Sequence, residues 1–307
     1  MKVIVTGASG QLGSDVAAEA LSRGMRCLGS VRKESSGGAD AIPGLRYCRL
    51  DITDRDAVEY ILENEKPDAL IHCAGWTDVE AAEQEANRPK ARLANAEAAG
   101  FIASACAGIG CKMLYTSTDY VFDGTGNQPW PADFADPLPL NWYGKSKLEG
   151  EQAVREAAKR YFIVRTSWLF GVHGRNFVKT MLGLSRRNEC VRVVDDQIGS
   201  PTYTRDLAKL LVDMIETDKY GIYHASNEGE YVSWYGFACE LFRKCGIKTR
   251  VIPVSTEEYG ASNALRPKNC RLDKSGLTAQ GFSCLPDWKD ALARFLREFP
   301  EQEAGVC

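Results

Sequence analysis

Residues 2–13 read Lys2-Val3-Ile4-Val5-Thr6-Gly7-Ala8-Ser9-Gly10-Gln11-Leu12-Gly13. The apolar run Val3-Ile4-Val5 stops at a glycine cluster, the pattern of a short buried strand ending in a turn. The glycines are spaced G-x-x-G-x-x-G, not the commoner G-x-G-x-x-G. Both spacings serve the same physics. They give a tight turn, close approach of backbone to a pyrophosphate, and N–H groups at a helix N-terminus facing that anion. Gly7, Ser9, Gly10, Gln11, Leu12 and Gly13 are therefore predicted to hold a dinucleotide. A glycine-rich turn without a ligand has the same composition, so the segments that follow decide.

Those segments alternate. Strands are expected at Met25–Val31, Leu45–Leu50, Ala69–Ala74, Lys112–Ser117 and Tyr161–Phe170, with helices at Asp54–Asn64 and Lys90–Gly108. This βαβ rhythm predicts an α/β fold of Rossmann type, a doubly wound parallel sheet. Beyond residue 170 the rhythm breaks. Helices are expected at Asn176–Arg187, Thr204–Thr217 (with Thr204 as N-cap), Ser233–Cys245 and Pro286–Phe299. Strands are expected at Cys190–Val194 and Gly221–Ser226, the latter returning to the first sheet. Chain breaks fall at Ser226–Gly229 and Gly260–Asn263. The resulting division is a dinucleotide domain of residues 1–170 and 204–227. A smaller, mostly C-terminal α/β substrate domain takes 171–203 and 228–307.

Composition narrows the function. The 307 residues are 44% hydrophobic and 26% charged, with net charge -3. These values are ordinary for a globular protein and give no reason to expect a nucleic acid or an anionic membrane surface as partner. Eleven scattered cysteines without a C-x-x-C pair fit reduced thiols better than disulfides or a zinc site. Three dispersed histidines (His72, His173, His224) argue against a His-based metal site, and no metal site is predicted. No targeting or membrane-spanning stretch is read, so the expected location is cytoplasmic.

Cofactor choice is read at the end of the second strand, Cys27-Leu28-Gly29-Ser30-Val31-Arg32-Lys33. An NAD site usually places an acid there for the ribose hydroxyls. Here cations come first and no acid precedes Glu34. Arg32 can pair with a 2′-phosphate and Ser30 can hydrogen-bond it, which predicts NADPH, with NADH as the alternative. The same stretch would otherwise be a solvated basic loop, with Ser35-Ser36-Gly37-Gly38 simply disordered. Asp51 and Ile52, closing the third strand, suit the adenine edge; Asp51 would otherwise be the N-cap of the next helix.

The chemistry is read from Leu114-Tyr115-Thr116-Ser117-Thr118-Asp119-Tyr120 and, after a Pro-rich loop, Tyr143-Gly144-Lys145-Ser146-Lys147. Tyr143 and Lys147 share one helix face, one turn apart. A nearby ammonium favours a phenolate, and a hydroxyl from Ser117 or Thr118 could polarise a carbonyl. The set suits ketone reduction. The spacing alone also fits a surface tyrosine packed along a lysine stem.

Thr6–Gly13, Ser117–Gly124, Tyr143–Lys147 and Arg165-Thr166-Ser167-Trp168-Leu169-Phe170-Gly171 together resemble the extended short-chain dehydrogenase/reductases. With Val194–Tyr203 and Arg266-Pro267, they resemble more narrowly the dTDP-4-dehydrorhamnose reductase family, across nearly the whole chain. The resemblance implies NADPH-dependent reduction of the 4-keto group of a nucleotide-linked 6-deoxyhexose. It makes Thr118 the carbonyl-polarising hydroxyl, Tyr143 the proton donor and Lys147 the nicotinamide-ribose ligand. Ala74, Gly75 and Trp76 match the loop over the cofactor, and Asn95 an asparagine that fixes the active-site helix. Asp119, Trp168, Asn176, Gln197 and Arg266 are the candidate contacts to the sugar nucleotide. Gln197 could meet a pyrimidine edge and Arg266 a diphosphate.

His72-Cys73-Ala74-Gly75-Trp76-Thr77-Asp78-Val79-Glu80 departs from the family's Asn-Ala-Ala-Ala-Tyr-Thr-Ala-Val-Asp, which leaves the sugar open. Two other readings remain at this level. One is a sugar-nucleotide epimerase or dehydratase of the same superfamily; Tyr120 stands where a dehydratase has an acid. The other is a non-catalytic subunit like the regulatory subunit of methionine adenosyltransferase. A homodimer is compatible with each reading.

Overall fold

The computed structural model describes residues 1–32, 42–260 and 262–299. Lys33, Glu34 and the Ser35–Gly38 loop lie outside the described residues. A seven-stranded sheet runs in the order Gly221–His224, Tyr161–Thr166, Lys112–Thr118, Ala69–His72, Lys2–Thr6, Arg26–Val31, Arg46–Arg49. Every pairing in it is parallel. The order reverses direction beside Lys2–Thr6, and the carboxyl ends of the strands on either side open a crevice there. That crevice is where ligands bind in doubly wound sheets.

Parallel strands are covered on both faces, so they are apolar throughout. Val3, Ile4 and Val5 have no exposed surface. On one face Leu12, Val16 and Ala20 of the Gln11–Ser22 helix meet Leu207, Leu211 and Ile215 of the Thr204–Ile215 helix. On the other, Val58 and Leu62 of the Arg55–Glu65 helix join Ile102 and Cys106 of the Ala98–Gly108 helix. A separate core holds Phe170, Leu182, Val193, Phe237, Leu241, Trp288 and Phe295. It lies under the Cys190–Val194 and Arg250–Val254 strands, which pair in parallel.

Several boundaries differ from the sequence reading, each for a local reason. The expected strand Tyr161–Phe170 stops at Thr166, and Leu169–Phe170 pairs instead with Thr202–Tyr203. Trp168 lies between them with φ +48, where a bulky side chain is rarely found. Its ring stacks on Trp234 at 3.6 Å, and its carbonyl accepts from Thr202 N at 3.1 Å. The expected helix Lys90–Gly108 carries a π turn at Leu93–Glu97. Thr204 does not cap its helix: Tyr203 precedes the first turn, and Thr204 Oγ1 donates to Phe170 O at 3.3 Å. The cap of the Arg55–Glu65 helix is Asp54, which accepts from Ala57 N at 3.0 Å, so Asp51 is not the N-cap. The last helix begins at Trp288, because Leu285–Asp287 pairs with Asn227–Glu228.

One ion pair ties the helix Trp142–Ala157 to the sheet. Glu151 accepts from Arg165 Nε at 2.9 Å and Nη2 at 2.6 Å, and from Ser117 Oγ at 2.6 Å. Both side chains are within 3% of full burial. Replacing Arg165 by Met strands the Glu151 carboxylate, which costs about 3–5 kcal/mol when one partner of a buried pair is lost. Urea unfolding of Arg165→Met should show that loss, and the double change Arg165→Met with Glu151→Leu should recover most of it. A single-variant loss under about 1 kcal/mol, the scale of an exposed pair, would mean that the pair does not anchor the helix.

Candidate active site

The crevice is a cleft of about 740 Å³. At its floor the glycine loop turns from Thr6 into the Gln11–Ser22 helix. Gly7 has φ +69, and a Cβ on Gly13 would stand 2.2 Å from Gly7 O, so neither position admits a side chain. Gly10 is the N-cap and supplies no capping side chain, which leaves the helix N-terminus facing the cleft. Ala8 N donates to Ser30 O at 3.0 Å, fixing the loop to the second strand. At that end Arg32 is exposed and lines the cleft together with Asp51 and Ile52. Asp51 accepts from Thr53 Oγ1 at 2.7 Å and Thr53 N at 3.0 Å. Those bonds hold its carboxyl below the usual range, with Arg32 adding to the pull.

The opposite wall is organised by Asn95. Its Oδ1 accepts from Trp76 N at 2.8 Å, and its Nδ2 donates to Trp76 O at 3.0 Å and Ser146 Oγ at 2.9 Å. One carboxamide thus joins the Ala74-Gly75-Trp76 loop to the first turns of the Trp142–Ala157 helix. The π turn brings Asn95 O to accept from Tyr115 OH at 2.9 Å. A Cβ on Gly150 would lie 2.2 Å from that carbonyl, so the helix can pass only as glycine. Single π turns recur at functional sites for this kind of re-aiming.

Asn141 caps the same helix, accepting from Gly144 N at 2.8 Å, and Ser146 Oγ donates to Tyr143 O at 2.8 Å. Tyr143, Lys147 and Glu151 then stand one turn apart on the face toward the Lys112–Thr118 strand. The Thr118 hydroxyl reaches the Tyr143 phenol. Lys147 Nζ donates to Thr116 O at 2.7 Å and lies 4.0 Å from the centre of the Tyr115 ring.

The electrostatics differ from the expected ammonium-stabilised phenolate. Burial pushes the Tyr143 phenol up to about 12; the Thr118 hydrogen bond opposes the rise and Asp119 adds to it. Burial lowers Lys147 to about 7, against the pull of Glu151 and Cys73. The cation is directed at a carbonyl and a ring, so its charge is not what holds the phenol.

All the expected dinucleotide contacts line the cleft, as do Thr118, Asp119, Tyr143, Lys147 and Trp168. Asn176, Gln197 and Arg266 do not. Asn176 caps the Phe177–Ser185 helix and donates to Gln11 Oε1 at 2.9 Å. Gln197 is buried and donates to Thr256 Oγ1 at 3.0 Å. Arg266 pairs with Glu80 at 2.8 Å and reaches Tyr120 OH at 3.4 Å. Among the lining residues that escaped the sequence reading are Trp234 and Arg175. Trp234 is recognisable only through its stacking on Trp168. Arg175 follows Gly174 in the loop before the Phe177–Ser185 helix, and that glycine was its one available signal. Among the described residues there is no metal-ligating cluster, and no helix is long and apolar enough to cross a membrane.

Comparison with known proteins agrees with this geometry. The profile of the RmlD substrate binding domain spans residues 1–300. The chain is 38% identical to the dTDP-4-dehydrorhamnose reductase of Mycobacterium tuberculosis, covering 96% of this chain and 92% of that one. It is also 38% identical to the Bacillus subtilis spore coat polysaccharide biosynthesis protein SpsK, covering 97% of each. The crystal structure of a Bacillus anthracis dTDP-4-dehydrorhamnose reductase in complex with NADP superimposes with a TM-score of 0.86 at 40% identity, over 97% of this chain and 99% of that one. With its glycine loop, Asn95 clamp and Thr118–Tyr143–Lys147 wall all in one cleft, the chain belongs to the dTDP-4-dehydrorhamnose reductase family, whose profile is that of the RmlD substrate binding domain.

Proposed function

We propose that the protein reduces the 4-keto group of dTDP-4-dehydrorhamnose to give dTDP-rhamnose, a precursor of cell-surface polysaccharide, using NADPH. The observation that carries this is the convergence of Thr118, Tyr143 and Lys147 on the cleft entered by the glycine loop. Residues 1–170 with 204–227 form the dinucleotide part in this reading, and 171–203 with 228–307 the substrate part. The substrate and cofactor pools it draws on are cytoplasmic.

The residues present fit the cofactor. Glycine at 7 and 13 lets the loop close tightly against Ala74 and the Gly7 carbonyl, which sets the helix start, and the uncapped first turn after Gly10 offers N–H donors to a pyrophosphate. Arg32 would meet a 2′-phosphate and Lys147 the nicotinamide ribose. Bound NADPH supplies the hydride for C4. Tyr143 protonates the developing oxyanion; its raised phenol keeps the proton loaded at neutral pH. Thr118 directs its one hydroxyl proton toward the same oxygen and, once Tyr143 has given up its proton, to the phenolate left behind. Lys147, fixed by Thr116 O, positions the ribose. Asp119, Trp168 and Trp234 line the sugar side of the cleft. Asn176, Gln197 and Arg266 act by holding its walls. Tyr120 gives no base for a dehydratase: burial pushes its phenol above the ordinary tyrosine range.

Tyr143→Phe removes one oxygen and keeps the ring, so NADPH oxidation with the keto sugar should drop by ~10²–10⁴-fold in kcat with NADPH affinity retained. A folded variant with near wild-type turnover would sink the assignment. Arg32→Asp should invert a preference for NADPH over NADH in binding titrations; equal affinity of the unaltered protein for both would remove the basis for Arg32. Trp168→Ala should weaken sugar-nucleotide binding and leave cofactor binding nearly intact, whereas equal losses would make Trp168 a packing residue only.

A further inference from the structure

We propose that Asp119 is a positioning residue. Its proton sets the direction of the hydrogen-bond chain Asp119–Thr118–Tyr143, and the neutral carboxylic acid is the form in which Thr118 donates toward the reacting oxygen. This rests on the reading that Tyr143 delivers a proton to a substrate ketone.

Thr118 has one proton and two lone pairs. Its Oγ1 accepts from Tyr120 N at 3.2 Å and stands 3.1 Å from Asp119 Oδ1. When Asp119 is ionised, the hydroxyl proton goes to the carboxylate, because a charged acceptor binds it more strongly than a neutral one. The second lone pair of Thr118 then faces the phenol and draws the Tyr143 proton away from substrate. When Asp119 is neutral, its own proton fills that lone pair. Thr118 has nothing left to offer but its proton, which points at the phenol oxygen and the substrate oxygen beside it. Tyr143 is then free to donate outward, and the phenolate it leaves receives the Thr118 hydrogen bond.

The surroundings favour the neutral acid. Asp119 is 2% exposed, and its Oδ2 is buried without a partner. From its own turn it faces Thr118 and Tyr120. From the neighbouring helix it faces Tyr143, with Lys147 held by Thr116 O instead. From the chain after Pro267 it faces Cys270, whose thiol donates to Pro267 O at 3.4 Å. Arg266, the nearest guanidinium, reaches Tyr120 OH and Glu80. No ion pair among the described residues includes Asp119. A buried carboxylate in that position takes up a proton rather than bear the charge. Burial raises Asp119 to about 7, against the opposing influence of the Cys270 thiol and the Thr118 hydroxyl beside it.

The test compares wild type with Asp119→Asn, whose amide donates to Thr118 as the acid does and never ionises. Infrared difference spectra of the two proteins without cofactor should show the carbonyl stretch of a neutral carboxylic acid, present below neutrality and lost above it. This arm needs no turnover, so it stands apart from failure of the substrate assignment, which would show as wild-type protein inactive on the keto sugar. In kcat–pH profiles the wild type should lose activity about tenfold per pH unit above the Asp119 midpoint. Lys147 titrates in both proteins, so the alkaline loss that disappears in Asp119→Asn belongs to Asp119. Should Asp119→Asn fail to fold, Thr118→Val removes the acceptor of the acid proton and should shift the same infrared band. Absence of the acid band, superimposable pH profiles, or a band unmoved by Thr118→Val would each overturn the proposal.

Discussion

The Glu151 carboxylate lies where three elements meet, and the cleft depends on it. It receives the Arg165 guanidinium from the strand Tyr161–Thr166 and the Ser117 hydroxyl from the strand Lys112–Thr118. Glu151 itself belongs to the helix that carries Lys147 one turn earlier and Tyr143 two turns earlier. The ion pair therefore sets both the height and the rotation of that helix against the strand bearing Thr118. Ser117 points to the anchor and Thr118 to the cleft, as neighbours on a strand must. One residue of register difference would exchange the two hydroxyls. A buried pair contributes little net stability compared with apolar packing, but it tolerates few alternative arrangements. Here what it fixes is the distance between Thr118 and Tyr143.

The same burial that makes the anchor effective sets the chemistry. Water excluded from the wall leaves Tyr143, Asp119 and Lys147 nearer their neutral forms than they are in solution. The wall is consequently a set of donors with few fixed charges, and charge is supplied at the other end of the cleft by the helix N-terminus and Arg32. A wall of nearly neutral donors at one end and positive charge at the other would suit the proposed reduction, in which a proton and a hydride arrive from opposite partners.

Much of this was legible in the sequence because it depends on short-range rules. The glycine spacing fixed the loop, apolar runs fixed the strands, and a spacing of four placed Tyr143 over Lys147. What escaped depends on contacts between distant segments. Nothing local marks Trp168 as left-handed; that follows from Trp234, 66 positions later, and from Thr202. The π turn at Leu93–Glu97 reflects Tyr115 and Gly150, not helix propensity. Asn176, Gln197 and Arg266 looked available for ligand because their polar partners could not be seen. The phenol was expected to feel its lysine, and in three dimensions that lysine faces a carbonyl.

The departures at Trp76, Asp78 and Glu80 gain meaning from those distant contacts. Trp76 Nε1 donates to Asp78 O at 2.8 Å, and Asp78 caps the Val79–Glu83 helix by accepting from Ala81 N at 2.9 Å. That helix presents Glu80, which accepts from Ser262 Oγ at 2.5 Å, Asn263 N at 3.0 Å and Arg266 Nη2 at 2.8 Å. The segment after Trp76 is thus a built strut between the Ala74-Gly75-Trp76 loop and the chain near residue 265. Arg266 continues it to Tyr120, whose ring meets Tyr143 edge-on at 5.9 Å. A longer acid at position 80 reaches farther than aspartate would, so the change is coupled to the position of Arg266. The substitutions therefore shape the Tyr120 end of the cleft from outside it, while the Thr118–Tyr143–Lys147 wall stays under the control of Glu151.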